Sequence, residues 1–356
     1  DAQAFFFLAV EGVVVMQKVE RVKAALGGLP VDRPPVSLWK DFPAADRDPL
    51  QLAQAHVSFQ EKFDLDFIKL TPYDSYPVHD WGCEIRFFDT PTEVAILRRP
   101  AINQSSDWLK IKALDAAKGA WGRQVLATRC AVTLAKEDVP VVPTVYSPLT
   151  VARKLAGERV ARDLREYPRL LHQALEAITE TTLAFVKETL RVGAAGIFFA
   201  TACATHDFLS QAEYEAFGRR YDLQVLAAAK EGWFNTLHIH GRKIFFDEFL
   251  DYPVQALNWH DCHEYPPLRR ARSLTDKCIL GGLDEEGAIS YGSPSEVIDE
   301  VAYFLSETDL RGVMVGPGCV TIPNPPDNNV ATARLVVERY AQKDLWKYLS
   351  FDSAAL

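Results

Sequence analysis

The chain has 356 residues, 48% hydrophobic, 24% charged and 11% aromatic, a composition that supplies an ample core and excludes a disordered or fibrous protein. With 39 Lys and Arg against 48 Asp and Glu, the net charge is −9, which argues against nucleic acid as a partner, since phosphate binding needs clustered positive charge. Six cysteines without a CxxC pair exclude a disulfide scaffold and point to a reducing, cytoplasmic setting with free or metal-bound thiols.

Taken in chain order, residues 1–15 hold a short apolar run that Glu11 interrupts. It lacks a basic flank and is too short to span a bilayer, so it reads as an appendage or an ordered strand ahead of Met16. No later segment is a membrane span, and no membrane partner is expected. Eight β-branched or apolar runs then recur, at 36–39, 67–70, 139–146, 194–201, 236–240, 256–260, 277–283 and 312–315. Amphipathic stretches at 151–156, 158–191, 210–231 and 294–306 separate the later runs, with a shorter connection at 267–275. Alternating strand and helix implies parallel strands joined by crossovers, and eight repeats favour a closed (β/α)8 barrel. The fold class expected is therefore α/β, a single TIM barrel over 16–346 with a tail at 347–356. The stretch 71–138 is too long for a simple connection. It reads as an insertion or lid after the second strand, with a hairpin at 84–97 and a helix at 116–136. No GxGxxG or GxxxxGK[ST] motif is present, so a dinucleotide or P-loop site lacks its phosphate cradle.

Barrel chemistry sits at the C-terminal ends of the strands. Those ends collect Trp39, Tyr73, Asp74, Tyr146, Cys203, His238, His240, His260, Asp261, His263, Asp284 and Cys319. In His238-Ile239-His240, residues i and i+2 of a strand face the same way, so both imidazoles point into the mouth. Cys319 follows Gly316-Pro-Gly318, a turn able to present a thiolate from another strand end. Two imidazoles and a thiolate are three Zn2+ ligands with one position open for substrate, the pattern of a catalytic zinc. Two hydrogen-bonded histidines beside an ordinary buried thiol are the plain alternative. His260 and Asp261 suit acid–base work or the orientation of a ligand, and Asp74 is a further proton-handling candidate. Tyr73, Tyr146, Asp284 and Trp39 are candidates for substrate binding, while Arg242 and Lys243 stand ready to hold a carboxylate.

The segments Phe67-Ile-Lys-Leu-Thr-Pro-Tyr73, His238-Ile-His-Gly241, Asn258-Trp-His-Asp261, Leu280-Gly-Gly-Leu-Asp284, Gly292-Ser-Pro-Ser-Glu-Val297 and Gly316-Pro-Gly-Cys319 with Pro323-Asn-Pro-Pro-Asp-Asn-Asn329 resemble the uroporphyrinogen decarboxylase superfamily in order and spacing. The resemblance runs from about Val36 to Glu338 and implies a (β/α)8 barrel. Decarboxylases of this superfamily carry an N-terminal arginine pair, which Ser37-Leu-Trp-Lys-Asp-Phe-Pro43 lacks, and a histidine where this chain has Cys319. The mouth also reads as poor in the cations that a porphyrinogen with many carboxylates requires. The corrinoid-dependent methyltransferase branch instead binds zinc through His-x-Cys…Cys. His238 and Cys319 match that pattern, and His240 replaces the first cysteine with another competent zinc ligand. The resemblance thus implies Zn2+ at His238, His240 and Cys319, and methyl transfer between a thiol and a corrinoid (cobalamin) on a separate protein. It also suggests a homodimer. Two alternatives stand beside it: a metal-independent decarboxylase or lyase of a carboxylate substrate, with His260 or Asp74 managing protons, and a non-catalytic module that binds a corrinoid or a protein partner.

Overall fold

The computed structural model describes residues 8–10, 13–308 and 310–341. Within residues 1–15, β1 (Leu8–Val10) and β2 (Val13–Val15) pair antiparallel as a separate two-stranded sheet. The expected tail at 347–356 lies outside the described residues.

The remaining strands are β3 (Ile68–Leu70), β4 (Glu84–Arg86), β5 (Ile96–Arg99), β6 (Val141–Tyr146), β7 (Phe198–Thr201), β8 (Thr236–Ile239), β9 (Ala256–Trp259), β10 (Cys278–Leu283) and β11 (Val313–Pro317). Seven of them form one parallel sheet in the order β3-β6-β7-β8-β9-β10-β11. These strands are covered on both faces, which is why their sequences read as continuous apolar runs without a polar alternation. The first expected strand, 36–39, is reduced to a single parallel bridge from Val36 to Val315. Pro34 and Pro35 precede it and remove two backbone donors, so a longer ladder has nothing to build on. The segment still fills the eighth position. Val315 N donates to Pro35 O (2.8 Å) and Ser37 N to Val315 O (3.0 Å), while Asp66 N donates to Val36 O (2.8 Å) on the other side. The curled sheet is thereby joined from β11 round to β3.

Ring contacts show what lies inside the curl. Trp39 meets Phe198 edge to face at 5.5 Å, and Phe67 meets Phe234 at 5.0 Å. Each pair joins positions far apart in the strand order, a contact possible only across the interior. At the N-terminal end of β3 the fully buried Asp66 binds Arg21 and Arg33, and Arg21 also pairs with Asp32.

The crossover helices start at well-formed caps. Asp48 accepts from Gln51 N ahead of Pro49–Phe63, Ser147 from Thr150 N ahead of Pro148–Ala156, and Ser293 and Glu296 form a capping box at Pro294–Glu307, each satisfying donors that the first turn leaves free. The expected helix at 158–191 is two helices, Arg159–Glu166 and Pro168–Arg191, because Pro168 cannot donate into the preceding turn. In the stretch 71–138, β4 and β5 form the expected antiparallel hairpin, and the helix runs Gly119–Leu134. This segment packs against the crossover helices: Ile102 N donates to Leu155 O, Trp108 Nε1 to Asp163, and Leu114 N to Thr181 Oγ1. Among the described residues, no helix is long and apolar enough to cross a membrane.

Candidate functional site

Neighbouring strand ends bring four donors to one point. His238 is buried near the end of β8, and His240 follows one residue beyond it, held in line by His240 N donating to Thr201 O (2.8 Å). His260 follows β9 and Cys319 follows β11. The Cys319 Sγ lies 3.7 Å from His238 Nε2 and 3.6 Å from His240 Nδ1, and His260 Nε2 lies 3.1 Å from His240 Nδ1. One ligand atom from each of the four residues falls within 4.8 Å of every other.

The surroundings decide which nitrogen of His238 is free. Asn258 is fully buried on β9, and its Nδ2 donates to Leu280 O (2.8 Å) and Pro317 O (3.1 Å). Its Oδ1 is therefore an acceptor for His238 Nδ1–H at 2.7 Å, which leaves the lone pair of Nε2 aimed at the shared point. Glu285 plays the matching part for His260, accepting from Nδ1 in a short ion pair. Gly318 permits the close approach of the Cys319 turn: a Cβ there would lie 2.8 Å from Glu285 Oε2 and 2.9 Å from Trp259 O.

Electrostatics prepare the imidazoles for a cation. Burial, with His240 and His260 alongside, holds His238 well below the usual histidine range, and burial beside His260 lowers His240 to about 4. Both are neutral ligands at neutral pH. Burial, followed by the nearby Glu285 charge, pushes the Cys319 thiol up to about 12. Burial opposes a charge on His260, but Glu285 outweighs it and the net shift is upward. Imidazole and thiol donors at this spacing, with one tautomer fixed by a buried amide, fit a tetrahedral zinc ion.

A cavity of about 570 Å3 opens in front of this cluster, lined by Trp39, Lys69, Asp74, Tyr146, Arg153 and Lys154 together with His238, His240 and Cys319. Asp74 accepts from Tyr146 Oη (2.9 Å) and forms a short ion pair with Lys154. Burial works against that carboxylate, yet Lys154 and Tyr146 hold it below the ordinary range.

The other residues singled out in the sequence lie elsewhere. Asp261 turns toward β10, where Oδ2 accepts from Gly282 N (2.9 Å), and burial raises it to about 8. Asp284 binds His263 Nε2 (2.8 Å). The Tyr73 side chain is buried against His79 Nδ1 (2.9 Å). Lys243 pairs with Asp207, and Arg242 lies 3.5 Å from Glu264. The expectation of a mouth poor in cations needs correction, because Lys69, Arg153 and Lys154 all line the cavity. Sequence reasoning missed these three along with Asn258 and Glu285. Lys69 carried a signal, being a charge set inside an apolar strand run.

The sequence profile described as Uroporphyrinogen decarboxylase (URO-D) matches residues 17–340. A methylated-thiol–coenzyme M methyltransferase from Methanosarcina mazei is 29% identical over 210 residues, 56% of this chain and 53% of that protein. A uroporphyrinogen decarboxylase from Aquifex aeolicus is 25% identical over 211 residues, 56% of this chain and 59% of that protein. The chain thus spans little over half the length of these relatives, and identity is higher to the methyltransferase. Among solved structures, a methyltransferase from Methanosarcina mazei superposes with a TM-score of 0.77 at 19% identity, covering 91% of this chain and 99% of that one. A B12-independent methionine synthase from a Shewanella species superposes at 0.55 and 14% identity, covering 89% of this chain and 96% of that one. Both likenesses are of fold.

Proposed function

The chain belongs to the uroporphyrinogen decarboxylase family, on its methyltransferase side, and from that premise we propose that it is an enzyme moving a methyl group between a corrinoid carrier and a thiol, with zinc held by His238, His240 and Cys319. The observation that carries this reading is the convergence of those donors within 4.8 Å at the strand ends. When bound, zinc would supply a Lewis acid that lowers the pKa of a coordinated thiol.

The chain's own residues do the rest. Asn258 keeps the proton of His238 on Nδ1, so that Nε2 stays available. Glu285 grips Nδ1 of His260 and orients its ring toward the cluster. Trp39 and Phe198 wall the cavity with apolar surface and keep water from the nucleophile, while Asp74, Tyr146 and Lys154 form a polar rim. The corrinoid belongs to a partner that docks at the cavity mouth. A second reading, a metal-independent lyase acting on a carboxylate, draws on Asp74 beside Tyr146 and Lys154 in the same cavity.

Elemental analysis of protein purified without chelator tests the proposal. About one zinc per chain is expected, lost in both H238A and C319A while the fold persists, together with transfer from methylcobalamin to thiols that fails in H238A. Metal-free protein that decarboxylates, even after reconstitution with zinc, would decide for the lyase.

A further inference from the structure

Thr201 closes β7 with its main chain beside the donor cluster and its side chain turned away from it. Its Cα pairs with that of Ile239, the residue between the two histidines, and its carbonyl accepts from His240 N at 2.8 Å. Ala200 lines the cavity, so strand alternation points the Thr201 hydroxyl outward to the helix layer. There it lies 3.4 Å from Tyr214 Oη. Tyr214 Oη donates to Asp222 Oδ2 at 2.6 Å, and Tyr252 Oη donates to the same oxygen at 3.2 Å. With the Tyr214 proton committed to the carboxylate, Thr201 is the donor in the link to Tyr214.

These four side chains are buried, Asp222 completely. Burial raises its carboxyl to about 7 against the hydroxyl bonds that favour the charge, a cost that an apolar residue of the same volume would avoid. The local backbone is shaped around the contact all the same. Residues 211–228 form one continuous helix with a π-turn at Glu215–Arg219. In a regular α-helix, positions eight apart such as Tyr214 and Asp222 lie about 80° apart around the axis. The extra residue of the π-turn cuts that offset to about 20° and brings both to one face. Gly218, inside the turn, gives the tyrosine ring its room: a Cβ there would lie 2.4 Å from Tyr214 Cε2. Arg219 of the same turn holds the segment of the third partner. It pairs with Asp251 at 2.6 Å, donates to Glu248 O at 2.7 Å, and sets its guanidinium 5.0 Å from the centre of the Tyr252 ring.

We propose that Asp222 is a positioning residue for His240: through Tyr214 and Thr201 it fixes the end of β7, from which Thr201 O holds His240 N, and so sets the direction of the His240 imidazole at the donor cluster. That this cluster binds zinc is the reading given above; the hold on His240 rests on the hydrogen bonds alone. Without the carboxylate the Tyr214 hydroxyl has no acceptor to fix it, the Thr201 side chain loses a set partner, and the end of β7 gains freedom that His240 shares.

Two readouts on the full-length protein test it. NMR of the metal-free protein with labelled histidines, assigned with H240Q, follows the His240 ring; Co2+ affinity by chelator competition, with the visible spectrum of the bound ion, follows the consequence. D222L and Y214F should shift the His240 ring signals, alter the Co2+ spectrum and weaken Co2+ binding by about 3–10-fold. D222N should keep most of the wild-type behaviour, because its amide oxygen still accepts from both tyrosines. D163N is the control for a merely structural role: Asp163 is equally buried, but its partners Trp108 and Ser105 lie in the stretch 71–138, so this variant should lose stability and leave both readouts unmoved. Wild-type His240 signals and Co2+ affinity in D222L, or equal changes in D163N, would overturn the proposal. Should D222L fail to fold, Y214F, which keeps the ring and removes only the bridging hydroxyl, decides. Wild-type protein that binds neither Co2+ nor Zn2+ would defeat the zinc reading, and the His240 signals of the metal-free variants would still decide the hold.

Discussion

Asp66 and Lys69 lie three residues apart at β3, and the molecule treats their charges in opposite ways. Asp66 is completely buried at the N-terminal end of the barrel and accepts four hydrogen bonds: one from Arg21, two from Arg33 and one from Val36 N. Lys69 is almost as buried, on the cavity side, and meets one threonine hydroxyl. Burial therefore does not separate the two charges; partnership does. At the N-terminal end the desolvation of each ion is offset by its hydrogen-bonded neighbours, whereas at the cavity Lys69 has only the charges of Asp41 and Asp74, beyond ion-pair distance, to offset part of the cost.

Three substitutions break or sharpen this contrast. The largest effect belongs to D66N, which keeps the size of the side chain but leaves two buried guanidinium groups short of an anion. A loss of about 3–5 kcal/mol is expected in urea unfolding. A loss below about 1 kcal/mol would mean that the network does not hold the barrel as argued.

Next comes N258A, which removes the acceptor for His238 Nδ1–H and empties part of the buried interior. Zinc affinity measured by competition with a chelator should fall about 10–100-fold, the usual cost of losing a group that orients a ligand. Unchanged affinity would mean that His238 needs no help to present Nε2.

The smallest effect is of the opposite sign. Because burial lowers Lys69 to about 8 from 10.5, the unfolded chain binds more protons than the native one between those values. Its contribution to stability thus improves as pH rises through that window, and the cost is fully present below it. K69M should stabilise the protein at pH 7 by on the order of 1–2 kcal/mol, an advantage that fades between pH 8 and 10.5. Urea unfolding of both proteins across that range checks it. A K69M that is less stable at pH 7 would make Lys69 a structural residue like Asp66.

Much of the barrel was legible because parallel strands buried on both faces must be apolar throughout. Runs such as 139–146 and 277–283 stand out from their polar surroundings, and both contain the observed strands. The helix Pro49–Phe63 is not among the elements expected from periodicity, although Asp48 and Pro49 mark its start. His238 and His240 were legible through strand alternation, and Cys319 through the turn before it.

The sequence alone thus determined the alternation of elements and which residues could act as donors, since these follow from local periodicity and residue chemistry. Only the tertiary structure decided which of them meet. That Asn258 selects the tautomer of His238, that Glu285 grips His260, that Lys154 finds Asp74 and that Cys319 meets His238 depend on contacts between residues 20 to 81 apart in the chain. Pairing over such separations is set by the closure of the sheet and the packing inside it, for which no short stretch of sequence carries the information.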